Sequence, residues 1–339
     1  MLLDAEPQPT LIYAMQILTS LQNIARPFHC PVVTIGNFDG VHLGHQLLFS
    51  EVLIRARRSG GTAVAVTFDP HPLKVLRPEG IRLISSIEQK SELIRLAGMD
   101  ALVIIPFDRR FAEMSATDFV NDILCRSLGV QELVIGYDYA LGRGREGTID
   151  FLQQQGKERG FPVTVVEAHY EDGLPVSSTR IRQLVMEGRM EEVRRLLGRC
   201  YHIRGEVQRG RQRGRGLGFP TANLHLTEED LCPKKGVYVT QVICGGKMYG
   251  SISNIGYNPT FGANELVAET HIFDFNDDIY GHPIRLNLLR HLRSEMKFNS
   301  ADELSEQIRK DVAIARHVLE NAARERLLTC EERSNQLAF

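Results

Sequence analysis

The chain reads as two domains of different class: an α/β domain built on a parallel sheet, then an antiparallel β domain ending in a helix. Three observations predict this. Up to about residue 200, short apolar runs alternate with helical patterns, the rhythm of strands joined by crossover helices. Past Arg199 long helical patterns stop, and strand-like runs separated by turn signals continue to Arg290. The length, 339 residues, suits two domains of about 150 residues each.

In the first half the strands are expected at Pro31–Ile35, Thr62–Phe68, Ala101–Pro106, Glu132–Ile135 and Pro162–Val166. Helical patterns lie between them at His45–Arg58, Ile87–Ala97, Ala116–Leu128 and Thr148–Glu158. Ser115, three residues before Asp118, marks a helix start with an acidic first turn. In the second half, His202–Gln208, Val237–Cys244, Lys247–Asn254, Glu269–Phe275 and Ile284–Arg290 read as strands of a barrel or sandwich. Cys244–Lys247 and Asn276–Asp278 read as turns. The tail returns to helix from Ala301 to Thr329, with Glu306 and Lys310 paired at i, i+4. The boundary falls near Gly198, giving domains 1–198 and 199–339.

Composition narrows the function classes. Lys+Arg total 40 and Asp+Glu 42, a net charge of −2, which argues against a wholly basic nucleic-acid coat or an acidic disordered chain. Six scattered cysteines form no CxxC pair, so neither a disulfide scaffold nor a thiolate zinc site is expected, and reduced cysteines fit the cytoplasm. Met1–Thr10 carries Asp4, Glu6 and two prolines but no basic residue, unlike a signal peptide. No apolar run of about 18 residues occurs, so no membrane span is expected. The chain has no Trp, so aromatic stacking falls to Phe, Tyr or His.

The strand Pro31–Ile35 runs into Gly36-Asn37-Phe38-Asp39-Gly40-Val41-His42-Leu43-Gly44-His45, where a helix begins. Such a turn aims backbone N–H groups and a helix N-terminus above the sheet, and Gly44 allows close approach of a phosphate. His42 and His45 can donate hydrogen bonds to a phosphorus centre whose oxygens gain charge. The spacing also suits a metal pair or two ordinary turn histidines; the position at the first β–α junction favours a nucleotide. Phe68-Asp69-Pro70-His71-Pro72 follows the second strand as a rigid loop, a pocket wall or merely a turn. After Ile135 comes Gly136–Arg143, where Asp138 could accept from a ribose or base and Arg143 and Arg145 could meet phosphate; a surface loop reads equally well. Ser177-Ser178-Thr179-Arg180-Ile181-Arg182 suits a polyphosphate at a helix start, or an N-cap with solvated arginines.

In the second half the Arg/Gly run Arg204–Gly218 leads to Phe219-Pro220-Thr221-Ala222-Asn223. Thr221 and Asn223 face one side of an extended chain, as two neutral oxygen ligands for Mg²⁺ or as polar residues on a solvated face. Asn254–Gly262 reads as a shaped loop. In Glu269–Phe275, Glu269 and His271 are expected to share a face with Phe273 and Phe275, so Glu269 is a base or a solvated carboxylate.

Taken in order, GNFDGVHLGH, FDPHP, the Gly136–Asp138 loop and SSTRIR resemble the N-terminal half of the bacterial bifunctional riboflavin kinase/FMN adenylyltransferase family, the prokaryotic FAD synthetases. GRGLGFPTANL, GVYV, IGYNPTFG, ETHIFDF, DIYG and LRSEMKF resemble its riboflavin kinase half. The resemblance spans about Ile17 to Asp311. It implies a Rossmann-like nucleotidylyltransferase domain, a six-stranded antiparallel β-barrel and a C-terminal helix. It implies that riboflavin and ATP give FMN, and that FMN and ATP then give FAD and pyrophosphate, with Mg²⁺. His42 and His45 would stabilise the α-phosphate, and Glu269 would accept the riboflavin 5′-hydroxyl proton. ATP would be held by Gly36, Asn37, Phe38, Gly44, Ser177, Ser178, Thr179, Arg180 and Arg182 in one half. In the other it would be held by Gly210, Gly216, Gly218 and Pro220, with metal at Thr221 and Asn223. Asp69, Pro70, Asp138 and Arg293 would contact flavin. The partners implied are small molecules, for a monomer or weak oligomer with no nucleic-acid or membrane partner. Two alternatives are one active module only, or an RNA-binding protein using the Arg/Gly arm.

Overall fold

The computed structural model describes residues 15–23, 28–77, 79–210, 218–227, 230–257 and 266–324. Six parallel strands form the first sheet: β1 (Gln16–Leu18), β2 (Val32–Ile35), β3 (Ala63–Asp69), β4 (Ala101–Pro106), β5 (Glu132–Gly136) and β6 (Val163–Val166). Their spatial order is β1-β4-β3-β2-β5-β6, so the chain reverses its winding between β2 and β5. Helices cover both faces. Leu48, Phe49 and Val52 of the helix Leu43–Ser59 and Ile94 of the helix Ile87–Leu96 pack on one face. Phe119, Val120 and Leu124, with Leu152, pack on the other. The strands β2 to β5 are buried on both faces, which is why they read as unbroken apolar runs.

Ligands of such sheets sit beyond the carboxyl ends of the strands at the reversal point. Here that point is flanked by the loops after β2 and β5, Gly36–His42 and Tyr137–Gly142. A short hairpin, β7 (Tyr170–Glu171) with β8 (Leu174–Pro175), follows β6 and leads to the helix Ser178–Glu187.

The second sheet is antiparallel throughout: β9 (Tyr201–Glu206), β10 (Ala222–Leu226), β11 (Gly236–Cys244), β12 (Lys247–Tyr257), β13 (Leu266–Ile272) and β14 (Pro283–Arg293). Its order is β10-β13-β12-β11-β14-β9, and the Gln208 N–H donates to the Asn223 carbonyl at 2.9 Å, so the sheet nearly closes into a barrel. Leu224, Tyr238, Val242, Ile255, Ala268 and Leu286 fill its interior. Thr240, Ser251, Ser253 and Thr270 are buried there too, satisfied by a chain of hydroxyl contacts at 2.8 Å. Outside, the helix Ala301–Arg324 lies over Val237, Val239, Ile252, Phe273 and Leu289.

The two sheets are joined by more than the chain. Ile181, Leu184 and Val185 of the helix Ser178–Glu187, and Met190, Val193 and Leu197 of the helix Met190–Leu197, share one apolar cluster with the barrel interior. The Leu231 N–H donates to the Leu83 carbonyl at 3.2 Å, and Arg204 pairs with Glu92 at 2.5 Å.

Several expectations need adjustment. β1, at the sheet edge, and β10 are strands beyond those expected from the sequence. The helix expected at Ala116–Leu128 opens with one α-turn and continues over Phe119–Ser127 in π form. The strand expected at Glu269–Phe275 stops at Ile272. Asp274 takes a left-handed φ of +55°, which sends Phe273 under the terminal helix and Phe275 to the barrel cluster, so the two rings do not share a face. The tail helix is described to Arg324; its expected end at Thr329 lies outside the described residues.

Candidate active sites

The backbone of the loop after β2 is tightly constrained. Phe38, Gly40 and Val41 all have positive φ, +47°, +79° and +39°. A Cβ on Gly40 would stand 2.7 Å from the Ile84 side chain, so glycine is required there twice over. Phe38 is buried and its ring packs edge-on to His45 and Phe49, at 5.3 and 4.9 Å between centroids. His42 and His45 stack on each other at 3.6 Å, beside Gly44, whose Cβ position lies 3.3 Å from the His42 ring. Gly36 leads in, its N–H bound to the Val66 carbonyl, and the Asn37 carbonyl accepts from Thr67 Oγ1 at 3.2 Å.

Asp39 fastens this loop. Its carboxylate, 1% exposed, accepts from the Ile84 N–H, from the N–H and hydroxyl of Ser85, and from Arg182 Nη2 at 2.5 Å. Ser178 Oγ donates to the Asp39 carbonyl at 2.9 Å, while Ser177 caps the helix by accepting the Arg180 N–H. Arg180 donates to the carbonyls of Glu171 and Leu174, so it holds the β7–β8 hairpin. The SSTRIR segment is thus built into the loop's support, with Thr179 exposed at the helix start. Asp138 is exposed after β5, and its carbonyl accepts from Arg145 Nη2 at 2.9 Å. Asp69 and Pro70, joined by a cis peptide bond, are exposed; Asp69 lines a groove of about 540 Å³ with Ile17, Thr19, Ser91 and Arg95.

Burial governs the protonation of the histidines. It pushes His42 down to about 4 and His45 well below its ordinary value, with Arg199 adding to both shifts. Both imidazoles are therefore neutral at pH 7, and neither Nδ1 has a hydrogen-bond partner among the described residues. Two buried, unpartnered ring nitrogens at a strand-to-helix turn fit a group rich in acceptor oxygens. Lys90, 4% exposed on the helix Ile87–Leu96, reaches Thr67 Oγ1 at 3.4 Å below this loop.

His71 is also buried, accepts the Leu73 N–H at Nδ1, and is pushed down to about 4 by burial. Unfolded, it would titrate near 6.5. Between these values the unfolded chain binds more protons, so stability falls as pH drops through this window. We expect a lower melting temperature at pH 5 than at pH 7, and a smaller drop in His71→Asn, whose amide oxygen keeps the helix cap without titrating. A drop as large as in the parent chain would remove His71 from the effect.

The second site is a row across the outer face of the barrel. In register, Asn223 of β10 stands opposite Glu269 of β13, Glu269 opposite Asn254 of β12, Asn254 opposite Val237 of β11, and Val237 opposite Arg293 of β14. Neighbouring strands lie about 4.8 Å apart, so Asn223 and Asn254 flank Glu269 at contact range. Asn223 is buried, Glu269 and Thr221 are half-buried. A Cβ on Gly210 would come within 2.5 Å of Asn223 Nδ2, so a side chain there would displace the amide. His271 donates from Nδ1 to the Pro220 carbonyl at 2.9 Å and meets Phe219 edge-on, pinning the Gly218–Thr221 turn to β13. Gly218 has a φ of +85°; Gly216 lies outside the described residues. Arg293 is committed to Asp311 of the terminal helix through Nε at 3.0 Å and Nη2 at 2.7 Å, so its guanidinium clamps that helix to β14.

Asp39, Ser85, Lys90, Arg199 and Asn254 join the sites beyond the residues expected from the sequence. Asp39 and Asn254 lie inside quoted motifs; the others carry no local signal.

The first half is thus a parallel α/β domain with paired histidines at its first β–α turn, joined to an antiparallel β-barrel domain. A family model described as FAD synthetase matches residues 26–180, and one described as riboflavin kinase matches residues 197–319. The chain is 35% identical over 305 residues to the bifunctional riboflavin kinase/FMN adenylyltransferase of Escherichia coli (strain K12), covering 89% of this chain and 97% of that one. The protein of the same name from Pseudomonas fluorescens is 37% identical over 305 residues, with the same coverage. A solved structure described as a macrolide-efflux protein from Streptococcus pneumoniae matches with a TM-score of 0.81 at 31% identity, over 89% of this chain and 98% of that one. Among the described residues here, no helix is long and apolar enough to cross a membrane. The chain belongs to the bifunctional riboflavin kinase/FMN adenylyltransferase family.

Proposed function

We propose that the chain makes FAD in two steps on two sites: riboflavin and ATP give FMN and ADP at the barrel, and FMN and ATP give FAD and pyrophosphate at the parallel sheet. The observation that carries this reading is that both halves present their own phosphate-chemistry residues, the stacked His42–His45 pair and the Asn223–Glu269–Asn254 row.

At the first site the FMN phosphate is already an anionic nucleophile. One of its oxygens attacks the α-phosphorus of ATP, the bond to the bridging oxygen breaks, and pyrophosphate leaves. No base is needed, so positioning and charge stabilisation do the catalysis. His42 and His45 donate N–H groups to oxygens that gain charge. Incoming phosphate also favours their protonation, which their neutral resting state leaves available. Gly36, Asn37, Phe38 and Gly44 shape the loop around them, and Ser177, Thr179 and the helix start face the remaining phosphates.

At the second site the nucleophile is an alcohol, so a positioned carboxylate is required. Glu269 accepts the 5′-hydroxyl proton as that oxygen attacks the γ-phosphorus, and ADP leaves. Among the described residues no cluster of three or more His, Cys, Asp or Glu could hold a metal by itself. Thr221 and Asn223 offer neutral oxygens instead, a donor set that suits Mg²⁺ arriving with ATP and keeping water and phosphate ligands. When bound, the metal neutralises phosphate charge. Gly210, Gly218 and Pro220 border the nucleotide of this site, and Gly216 is assigned to the same nucleotide on the family motif alone. Asp69, Pro70 and Asp138 serve the flavin of the first site, and Arg293 serves the second by fixing the terminal helix.

Division at Gly198 gives domains 1–198 and 199–339. The net charge of −2 supports small molecules rather than nucleic acid or an anionic membrane as partners, for a monomer or weak oligomer. The dispersed cysteines among the described residues, none of them in a disulfide, support a cytoplasmic setting. Incubation with riboflavin and Mg-ATP, followed by chromatography of the flavins, tests both steps. FMN and FAD should appear in turn; unchanged riboflavin, with supplied FMN also unchanged, would overturn the reading.

A further inference from the structure

The two peptide units that precede His42 are gripped from the other domain. Arg199, two residues before β9, donates from Nη2 to the Gly40 carbonyl at 2.6 Å and from Nη1 to the carbonyls of Val41 at 3.1 Å and Leu197 at 3.2 Å. The Gln46 amide reinforces this grip, donating to the Val41 and Leu197 carbonyls at 2.9 Å each. Val41 is β-branched with a φ of +39°, a conformation that needs its surroundings to enforce it. Asp39 ties the loop to Ile84, Ser85 and Arg182, and Arg199 ties it to the chain after Leu197, so the residues leading into His42 are held by two sets of contacts.

We propose that Arg199 is a positioning residue for adenylyl transfer: by holding the Gly40 and Val41 carbonyls it sets the stacked His42–His45 pair against the reacting phosphate. The first residue of the barrel domain therefore completes the site of the sheet domain. This rests on the reading of that site as the adenylyltransferase. These Arg199 contacts are to backbone carbonyls of the loop and of Leu197, so their loss should lower the rate of the chemical step without weakening substrate binding. Its charge also helps hold both imidazoles neutral.

The test uses the full chain with Arg199→Met, Arg199→Lys and Gln46→Leu, assayed separately for FMN adenylylation and riboflavin phosphorylation. A displacement of about 1 Å at a catalytic group costs roughly 10²-fold, and a loss approaching that is expected in kcat for FAD formation in Arg199→Met. KM for ATP and FMN should stay within about twofold, and phosphorylation should be unchanged. Arg199→Lys should recover part of the loss, since one ammonium reaches one carbonyl, and Gln46→Leu should show the same signature more weakly. A parental kcat in Arg199→Met, a raised KM at unchanged kcat, or no recovery by Lys would overturn the proposal. If Arg199→Met loses both activities with its folding, Gln46→Leu decides: a selective fall in adenylylation kcat supports it, and a parental value overturns it. A parent chain that makes no FAD from FMN would instead refute the functional reading itself.

Discussion

The His45→Ala chain is expected to convert riboflavin to FMN and to stop there. His45 is enclosed between the His42 ring and the edge of Phe38, and its Nδ1 has no hydrogen-bond partner among the described residues, so its polar capacity is held in reserve for a ligand. Alanine removes a donor aimed at developing charge. By analogy with losing one oxyanion donor, kcat for FAD formation should fall roughly 10²–10³-fold. The ATP and FMN contacts elsewhere remain, so KM should move little. The barrel lies outside the change, so FMN should accumulate in the chromatogram. Normal FAD output would take His45 out of the mechanism.

The converse expectation is that Glu269→Ala ends riboflavin phosphorylation while supplied FMN is still adenylylated. A general base contributes about 10²–10⁴-fold, and an unassisted 5′-hydroxyl is a poor nucleophile. Glu269→Gln, which keeps the size and loses the proton acceptor, should fail in the same way and so separates the base from packing beside Asn223 and Asn254. Each reaction is assayed from its own substrate. A joint fall of both activities in these variants would mean that the two sites are not separate.

The parts of these sites that the amino-acid order discloses are those built from neighbours. β2, the Gly36–His45 turn and the helix after it follow one another within about thirty residues, and each carries its own local signal. What supports the turn is drawn from far along the chain: Asp39 meets Ile84 across 45 residues, Arg182 across 143, and Gly40 meets Arg199 across 159. No periodicity encodes such contacts. Arg180 and Arg182 illustrate the consequence. From spacing alone they are cations for phosphate; the structure adds that Arg180 Nη1 donates to the hairpin carbonyls and that Arg182 donates to the Arg82 carbonyl and to Asp39, contacts no spacing announces.

In the barrel, the alternating pattern outruns the strand, which ends at Ile272. Phe273 and Phe275 continue the pattern of Glu269–His271, but Asp274, held by Arg316 at 2.8 and 2.9 Å, turns the chain. β10 follows directly on the Arg/Gly run, and locally it shows no more than an extended stretch at Thr221–Asn223. Its strand character comes from pairing with β13, a long-range event, and it is that pairing which sets Asn223 against Glu269.

The helices between the sheets bear on how the protein comes apart. Ile181, Leu184, Val193 and Leu197 belong to the same apolar cluster as Tyr238 and Leu286 inside the barrel, while Ser178 and Arg182 of the first of these helices hold the histidine loop. Melting either domain therefore strips the other of part of its core. Heat or denaturant should produce one cooperative transition rather than two, and loss of flavin phosphorylation and of FAD formation on heating should share a midpoint.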